Sequence, residues 1–136
     1  PLMRRFGADL GELKLNDLVV VNPGFFRVVG SNPEIHFDLN EKKAFEKCLI
    51  LDFSVDMILR ADHEDGINIF YIPMNENLFS EKNVVNQKNL INKNGRQIFN
   101  LRLESGVGFR SEFKINLDLR QENFEIREIR ANCRIG

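Results

Sequence analysis

The stretch that decides the fold is "FKINLDLRQENFEIREIR", residues 113–130. In its first eight residues, apolar side chains alternate without a fault with charged and amide side chains. Alternation with a period of two is typical of a β-strand that buries one face and exposes the other. The pattern returns in residues 124–130, and the polar "QEN" between the two segments predicts a hairpin turn. We therefore expect a pair of antiparallel strands near the C-terminus.

Four earlier segments also have the composition and alternation of strands. They are "EIHFDLN" (34–40), "CLILDFSVDMIL" (48–59), "INIFYI" (67–72) and "RQIFNLRLE" (96–104). The Asn/Lys-rich segment 80–95 predicts an edge strand around Val84 and Val85, because charged and amide-rich edges discourage pairing with other chains.

Helical patterns are short and weak. "NEKKAFEK" (40–47) could form one or two turns, and "FGADLGELKL" (6–15) a short helix broken by its glycines. Six or more short strands with Gly/Asn/Asp-rich connections predict an all-β fold, an antiparallel two-sheet jelly-roll-like sandwich with at most short helical turns. The length of 136 residues suits one domain, 1–136, in which residues 1–30 would form an N-terminal extension.

The composition argues against several classes of partner. The 19 basic and 20 acidic residues are mixed along the chain, so the field gives no reason to expect nucleic acid. No apolar run approaches the roughly 20 residues that a membrane helix needs, so we expect no membrane insertion. The start lacks the apolar region of a signal peptide, which favours the cytoplasm but equally fits a processed secreted chain. Cys48 is expected to be a small buried hydrophobe, and the spacing to Cys133 does not predict a bridge.

Residues suited to catalysis or metal binding are scarce. His36 and His63 are the only histidines, and neither stands in a pattern with zinc-ligand spacing. "DHEDG" (62–66) has the wrong spacing for a calcium loop and is better interpreted as an acidic turn. No nucleophile motif or phosphate loop is present. We therefore expect no cofactor, no metal and no enzymatic activity, with His63 beside Asp62 or Glu64 as the one catalytic alternative.

The segment "INIFYIPMNENLFSEKNVVNQKNLINKNGRQIFN" (67–100) resembles, in its spacing, the carbohydrate-binding stretch of galectins. Galectins are jelly-roll sandwiches that bind β-galactosides. Pro73 matches the family proline, Val84 and Val85 the apolar pair before the second asparagine, and Gly95 the glycine after the tryptophan. The predicted hairpin in 112–126 resembles the strands that close the galectin sheet. The resemblance implies a two-sheet sandwich with a binding surface on the sheet containing residues 67–72.

The sugar contacts of galectins do not carry over. The family's first histidine, asparagine and arginine fall on Phe70, Ile72 and Met74, and its last arginine falls on Phe99. The chain has no tryptophan, so the stacking platform for galactose is missing. Lost polar contacts cost about 1–3 kcal/mol for each buried group left unpaired. By this resemblance the former sugar site becomes an apolar patch of Phe70, Ile72, Met74 and Phe99.

These expectations favour a non-catalytic binding module that contacts another protein or a second copy through that patch. The competing interpretation is that both faces of strand 67–72 are buried and nothing binds there. A peptide could also add a strand at the edge near Val84. The alternative function is a lectin for a different carbohydrate, with a glycan held around Tyr71 by Asn86, Gln87, Asn94, Arg96 and Gln97.

Overall fold

The computed structural model describes residues 2–5, 10–60, 65–89, 94–118 and 122–134. Within these ranges the chain forms eleven strands and one short helix. In chain order these are β1 (Leu2–Arg5), β2 (Lys14–Asn16), β3 (Leu18–Asn22), β4 (Phe25–Val28), β5 (Glu34–Asp38), α1 (Lys42–Glu46), β6 (Ile50–Arg60), β7 (Asp65–Pro73), β8 (Val84–Asn89), β9 (Asn94–Glu104), β10 (Phe109–Asp118) and β11 (Asn123–Arg134).

The strands form two antiparallel sheets packed face to face. The five-stranded sheet has the order β2-β5-β10-β7-β8, so β8 is an edge strand, as the sequence predicts. The six-stranded sheet has the order β3-β4-β11-β6-β9, and β1 also pairs with β11. The predicted all-β two-sheet sandwich is therefore confirmed. Within the described ranges, no helix has the length and apolarity needed to cross a bilayer.

A cluster of phenylalanine rings lies in the core between the sheets. Phe53 of the six-stranded sheet lies 5.3 Å from Phe113 of the five-stranded sheet, measured between ring centroids. Phe37 lies 6.2 Å from Phe113, and Phe45 of α1 packs edge-on against Phe113 at 5.8 Å. These side chains are at most 2% exposed. Burial of each such side chain contributes about 1.5–3 kcal/mol, so this cluster fixes how the two sheets face each other.

The predicted C-terminal hairpin is wrong. β10 pairs with β5 and β7 in one sheet, whereas β11 pairs with β1, β4 and β6 in the other. The alternation correctly identifies two strands that each bury one face. Both buried faces pack on the same core from opposite sides, so the chain passes from one sheet to the other between β10 and β11 and the two strands do not form a hairpin.

The first 30 residues contribute β1 to β4, and these strands lie in both sheets. Leu18 and Phe26 from this segment are buried. The predicted helix over 6–15 is not observed in its described part, where residues 10–13 are irregular and β2 begins at Lys14. The short helix predicted within 40–47 is confirmed as α1.

Gly108 makes the tightest backbone approach among the glycines described. It has a φ of +90°, and a Cβ placed on it would lie 1.9 Å from the carbonyl oxygen of Glu46. Its own carbonyl accepts hydrogen bonds from the Ser105 hydroxyl at 2.6 Å and from the Met74 amide at 3.1 Å. Glycine is therefore required for the β9–β10 turn to pack against α1.

A disulfide joins Cys48, just before β6, to Cys133 near the end of β11. The two Cα atoms lie 5.6 Å apart, a separation typical of native bridges, and 85 positions separate the cysteines in sequence. The sequence analysis does not predict this bridge, because spacing alone cannot show that two distant cysteines are paired.

Candidate functional site

Strand β7 is apolar on both faces, and each face is buried by different residues. Ile67 and Ile69 point into the core between the sheets. Phe70 and Ile72 point to the outer face, yet they are only 8% and 2% exposed. The segment that follows β7, residues 74–83, returns over this outer face and covers them.

Phe79 and Arg110 hold the covering segment in place. The Phe79 ring packs edge-on against His36 at 5.0 Å, and the Lys114 Nζ atom lies 4.4 Å from the Phe70 ring centroid and 5.3 Å from that of Phe79. Arg110 donates hydrogen bonds to the carbonyl oxygens of Met74 and Glu76. Both faces of β7 are thus buried, as the competing interpretation expects, but residues 74–83 and not 80–95 cover the outer face.

The expected apolar interaction patch is consequently not an exposed surface. Phe70, Ile72 and Phe99 are buried, and Phe99 lies on β9 of the other sheet, where its side chain points into the core. Met74 is half-buried and lines a cavity of about 330 Å³ together with Arg110 and Glu46. The prediction of an exposed patch is wrong because a loop can cover hydrophobic residues on the outer face of a sheet. The alternation of side chains along a strand does not reveal such a cover.

The uncovered part of the same outer face carries a row of polar side chains. One side chain from each of the five strands lies in cross-strand register, in the order Asn16, Glu34, Asn116, Asn68 and Asn86. Neighbouring strands lie about 4.8 Å apart, so the row crosses the sheet over about 19 Å. We call these five residues, with Asn32 beside them, the asparagine row.

Hydrogen bonds link the asparagine row from end to end. The Asn86 amide donates to Asn68 Oδ1 at 2.7 Å, and the Asn68 amide donates to Asn116 Oδ1 at 3.0 Å. The Asn116 amide donates to Asn32 Oδ1 at 2.8 Å and to Glu34 at 3.4 Å. The Asn16 amide donates to the Asn32 carbonyl oxygen at 2.8 Å. Because the three linked amides donate in one direction, each bond polarises the next.

The asparagine row is accessible and close to electrically neutral. Asn16, Asn32 and Asn86 are exposed, while Asn68 and Asn116 are half-buried. The carboxylate of Glu34 lies 3.4 Å from the Lys114 Nζ atom, so its charge is partly balanced within the face. Such a surface can donate and accept hydrogen bonds along its whole length without favouring a charged ligand.

The five residues of the predicted lectin site whose side chains the structure describes do not converge. Asn86 belongs to the asparagine row, but Gln87 follows it on β8 and points to the opposite face. Arg96 lies on the outer face of the other sheet and forms a bidentate pair with Asp56, with Nε and Nη2 at 2.9 Å and 2.7 Å from its oxygens. Gln97 lies on the inner face of β9. Asn94 begins β9, and its side chain lies outside the described residues.

Tyr71 points toward the core and not toward the asparagine row. Its ring packs edge-on against Phe109 at 5.4 Å. Burial and the nearby carboxylates of Glu104 and Glu76 raise the pKa of the Tyr71 hydroxyl above its usual value. All three effects disfavour the phenolate, so the hydroxyl stays protonated at neutral pH.

Of the two histidines considered in the sequence analysis, one lies outside the described residues and the other lies within β5. His63, Asp62 and Glu64 are outside them, so the acidic turn and the catalytic alternative stay predictions. His36 lies on the outer face of β5, with Nε2 3.3 Å from Glu112 Oε1. Within the described ranges, no group of three or more His, Cys, Asp or Glu side chains could hold a metal ion.

Sequence reasoning missed most of the asparagine row, although part of its signal was visible. The alternation in 34–40 and 113–120 places Glu34 and Asn116 on outward faces. The cross-strand register that brings them beside Asn68 and Asn16 depends on which strands pair, and the sequence does not state this.

Comparison with known proteins places the fold among β-sandwiches that include carbohydrate-binding modules. No family model and no curated protein sequence matches the chain. The low-affinity xylan-binding module CBM86 from Roseburia intestinalis superimposes with a TM-score of 0.53 at 12% identity, covering 98% of this chain and 97% of the module. The carbohydrate-binding module CBM36, solved with calcium and xylotriose, gives a TM-score of 0.53 at 8% identity, covering 97% of this chain and all (100%) of that one.

A third structural neighbour is much longer than this chain. The enzymatically active domain of tailspike protein 4 from bacteriophage CBA120 gives a TM-score of 0.55 at 11% identity. The match covers 98% of this chain but 19% of the tailspike chain. These likenesses support the two-sheet sandwich that the galectin resemblance implies, and they do not single out galectins.

Proposed function

We propose that the chain is a non-catalytic carbohydrate-binding module that binds a neutral glycan on the outer face of its five-stranded sheet. The observation that carries the proposal is the asparagine row, an accessible line of polar side chains that crosses every strand of that sheet, with amides on four strands and Glu34 on β5. This function corresponds to the alternative drawn from the sequence, with a different set of residues.

The chemistry of the amides suits sugar hydroxyl groups. Each asparagine side chain has two N–H donors and a carbonyl oxygen with two lone pairs. The bonds along the row use one donor each of Asn86 and Asn68 and leave those two amides further capacity, whereas Asn116 donates to both Asn32 and Glu34. Because the row already fixes the orientation of the amides, a ligand gains its hydrogen bonds at a small cost in side-chain entropy.

The spacing of the row suits an extended glycan that runs across the strands. One polar side chain occurs per strand, and the strand spacing of about 4.8 Å is close to the length of one pyranose unit in an extended chain. We expect affinity to rise with oligosaccharide length until the ligand spans the row. Xylan and xylotriose are suitable first ligands, because structural neighbours of this chain bind them.

The direct test combines native affinity electrophoresis in soluble xylan, glucomannan and β-glucan with calorimetric titration of the matching oligosaccharides. We expect at least one neutral glycan to retard the protein. Asn68→Ala and Asn116→Ala should each weaken binding by about tenfold or more, because hydrogen-bonding groups of the ligand lose their partners. A chelator should have no effect, since the row binds through amides.

The matched control is Asn123→Ala, which removes an exposed asparagine from the other sheet. It should bind as the unsubstituted chain does. Urea unfolding of all three variants separates loss of the site from loss of the fold. Equal binding by Asn68→Ala and the control, or no retardation by any neutral glycan, would contradict the proposal.

A second candidate function is contact with another copy of the chain through edge strand β3. Val19, Val20 and Val21 on this strand and Phe25 on β4 are 42–48% exposed, although they are large and apolar. An exposed apolar edge strand is a template for pairing with another strand. Light scattering should then detect a dimer that Val20→Lys dissociates, and a concentration-independent monomer would exclude this candidate.

A further inference from the structure

A groove of about 610 Å³ runs along β6 on the outer face of the six-stranded sheet. Its floor is formed by short side chains of the central strand, Asp52 and Ser54. The neighbouring strands β9 and β11 contribute longer polar side chains that stand on either side. In cross-strand register these are Arg102 and Asn132 beside Asp52, and Asn100 and Arg130 beside Ser54, with Arg134 at one end.

Three arginines of the groove are anchored in the same way. The Nε atoms of Arg102 and Arg134 contact the two carboxylate oxygens of Asp52 at 3.2 Å and 2.6 Å. The Nε atom of Arg130 contacts the Glu128 carboxylate at 2.9 Å. Each carboxylate therefore contacts its guanidinium group at the Nε atom.

The exposed charge in the groove is positive. The side chains of Arg102, Arg130 and Arg134 are 52%, 63% and 55% exposed, whereas those of Asp52 and Glu128 are 29% and 17% exposed. The carboxylates are thus recessed below the guanidinium groups. A ligand that approaches the sheet meets the guanidinium groups before the carboxylates, and guanidinium N–H donors match the geometry of carboxylate and sulfate oxygens.

Arg96 provides a useful contrast on the same face. Its Nε and Nη2 atoms both contact Asp56, whose side chain is 7% exposed, so that pair satisfies itself within the protein. The three groove arginines instead contact their carboxylates through Nε, and each side chain is more than half exposed.

We infer that this groove binds the sulfate or carboxylate groups of an acidic polysaccharide. The arginines supply charge-assisted hydrogen bonds to the anionic groups. Asn100, Asn132 and Ser54 supply neutral donors and acceptors for the hydroxyl groups between them. A nucleic acid fits less well, because Phe53, the one aromatic ring among the described residues that line the groove, is buried, and the chain carries a net charge of −1. The site is separate from the asparagine row, which lies on the other sheet.

The test compares dextran sulfate with unmodified dextran in native affinity electrophoresis, because the two polymers differ only in their sulfate groups. Polygalacturonate provides the carboxylate arm, and single-stranded DNA tests the competing class. We expect retardation by dextran sulfate or polygalacturonate and none by dextran. Arg130→Gln and Arg134→Gln should each weaken binding about tenfold and reduce its dependence on salt.

The matched control is Arg27→Gln, an exposed arginine on β4 of the same sheet that does not line the groove. It should retain full binding. Equal weakening by Arg27→Gln would show that the overall charge of the protein governs binding, and this would overturn the inference. Tighter binding to DNA than to both acidic polysaccharides would overturn the assignment of the ligand.

The Asp52→Asn variant tests whether Asp52 orients the arginines or whether binding depends on electrostatic attraction alone. The substitution removes a negative charge, so a purely electrostatic attraction would become stronger. If Asp52 orients Arg102 and Arg134, binding to dextran sulfate should instead weaken severalfold. Tighter binding would contradict the anchored groove. Because the groove and the asparagine row lie on different sheets, retardation by dextran sulfate but by no neutral glycan would contradict only the neutral-glycan proposal, and the reverse result would contradict only this inference.

Discussion

Gly108 shows how one residue fixes the junction of the two sheets with α1. Its positive φ and its contact with the Glu46 carbonyl exclude any side chain. We expect Gly108→Ala to lower the free energy of unfolding by about 2 kcal/mol or more, since the left-handed conformation alone costs about 1–2 kcal/mol for other residues. Urea unfolding measures the change.

Gly106 offers the control for this prediction. A Cβ placed on Gly106, two residues away in the same turn, has nothing within 4 Å. Gly106→Ala should therefore leave the urea midpoint close to that of the unsubstituted chain. If both alanine variants are equally stable, the close approach to α1 is not a constraint on the fold.

The titration of Tyr71 can be followed separately, because it is the only tyrosine and the chain has no tryptophan. Its pKa is raised in the folded state by burial and by Glu104 and Glu76. The stability linked to Tyr71 is then fully present below about pH 10, the unfolded pKa, and is lost as the pH rises through the folded value. Phenolate absorbance reports this single group directly.

The comparison variant for the pH prediction is Tyr71→Phe, which keeps the ring against Phe109 and removes the titrating hydroxyl. Its stability should fall less steeply above about pH 10 than that of the unsubstituted chain. A phenolate titration at or below the usual tyrosine pKa would be inconsistent with a half-buried Tyr71.

Among the structural elements, the covering segment 74–83 determines which part of the outer face of the five-stranded sheet is exposed to solvent. Phe79 anchors it by packing against His36 beside Lys114. We expect Phe79→Ala to lower the free energy of unfolding by about 1–3 kcal/mol, below the range for a fully buried phenylalanine because Phe79 is half-buried. It should also increase the binding of a hydrophobic dye, because Phe70 and Ile72 become accessible.

Leu78→Ala is the neighbouring control, because Leu78 is 78% exposed. It should change neither the unfolding midpoint nor dye binding. Equal effects of the two substitutions would mean that the segment does not cover the sheet through Phe79.

The strands themselves could be predicted from the sequence, but their pairing could not. The alternation in 34–40 and 113–120 correctly separates buried from outward side chains, because that separation is a local property of a strand. Whether β10 pairs with β11 or with β5 and β7 depends on contacts distant in sequence. The same limit explains the buried Phe70 and the undetected asparagine row, since both depend on segments that meet only in the folded chain.

At the scale of the whole molecule, the Cys48–Cys133 bridge closes most of the chain into one loop. With 85 positions between the cysteines, the bridge should contribute about 2–5 kcal/mol to the free energy of unfolding. Changing both cysteines to alanine should lower the urea midpoint accordingly. A reductant should have the same effect on the unsubstituted chain and little on the double variant. An unsubstituted chain whose midpoint ignores reductant would show that the bridge does not stabilise the fold.

The same bridge restricts where ligands should be sought. Thiols are kept reduced by glutathione and thioredoxin in the cytosol, and structural bridges persist in oxidising surroundings such as the periplasm or the extracellular space. We therefore expect a chain that keeps Cys48 joined to Cys133 to work in such surroundings. Candidate glycans should therefore be chosen among the polymers of cell walls, capsules and secreted matrices.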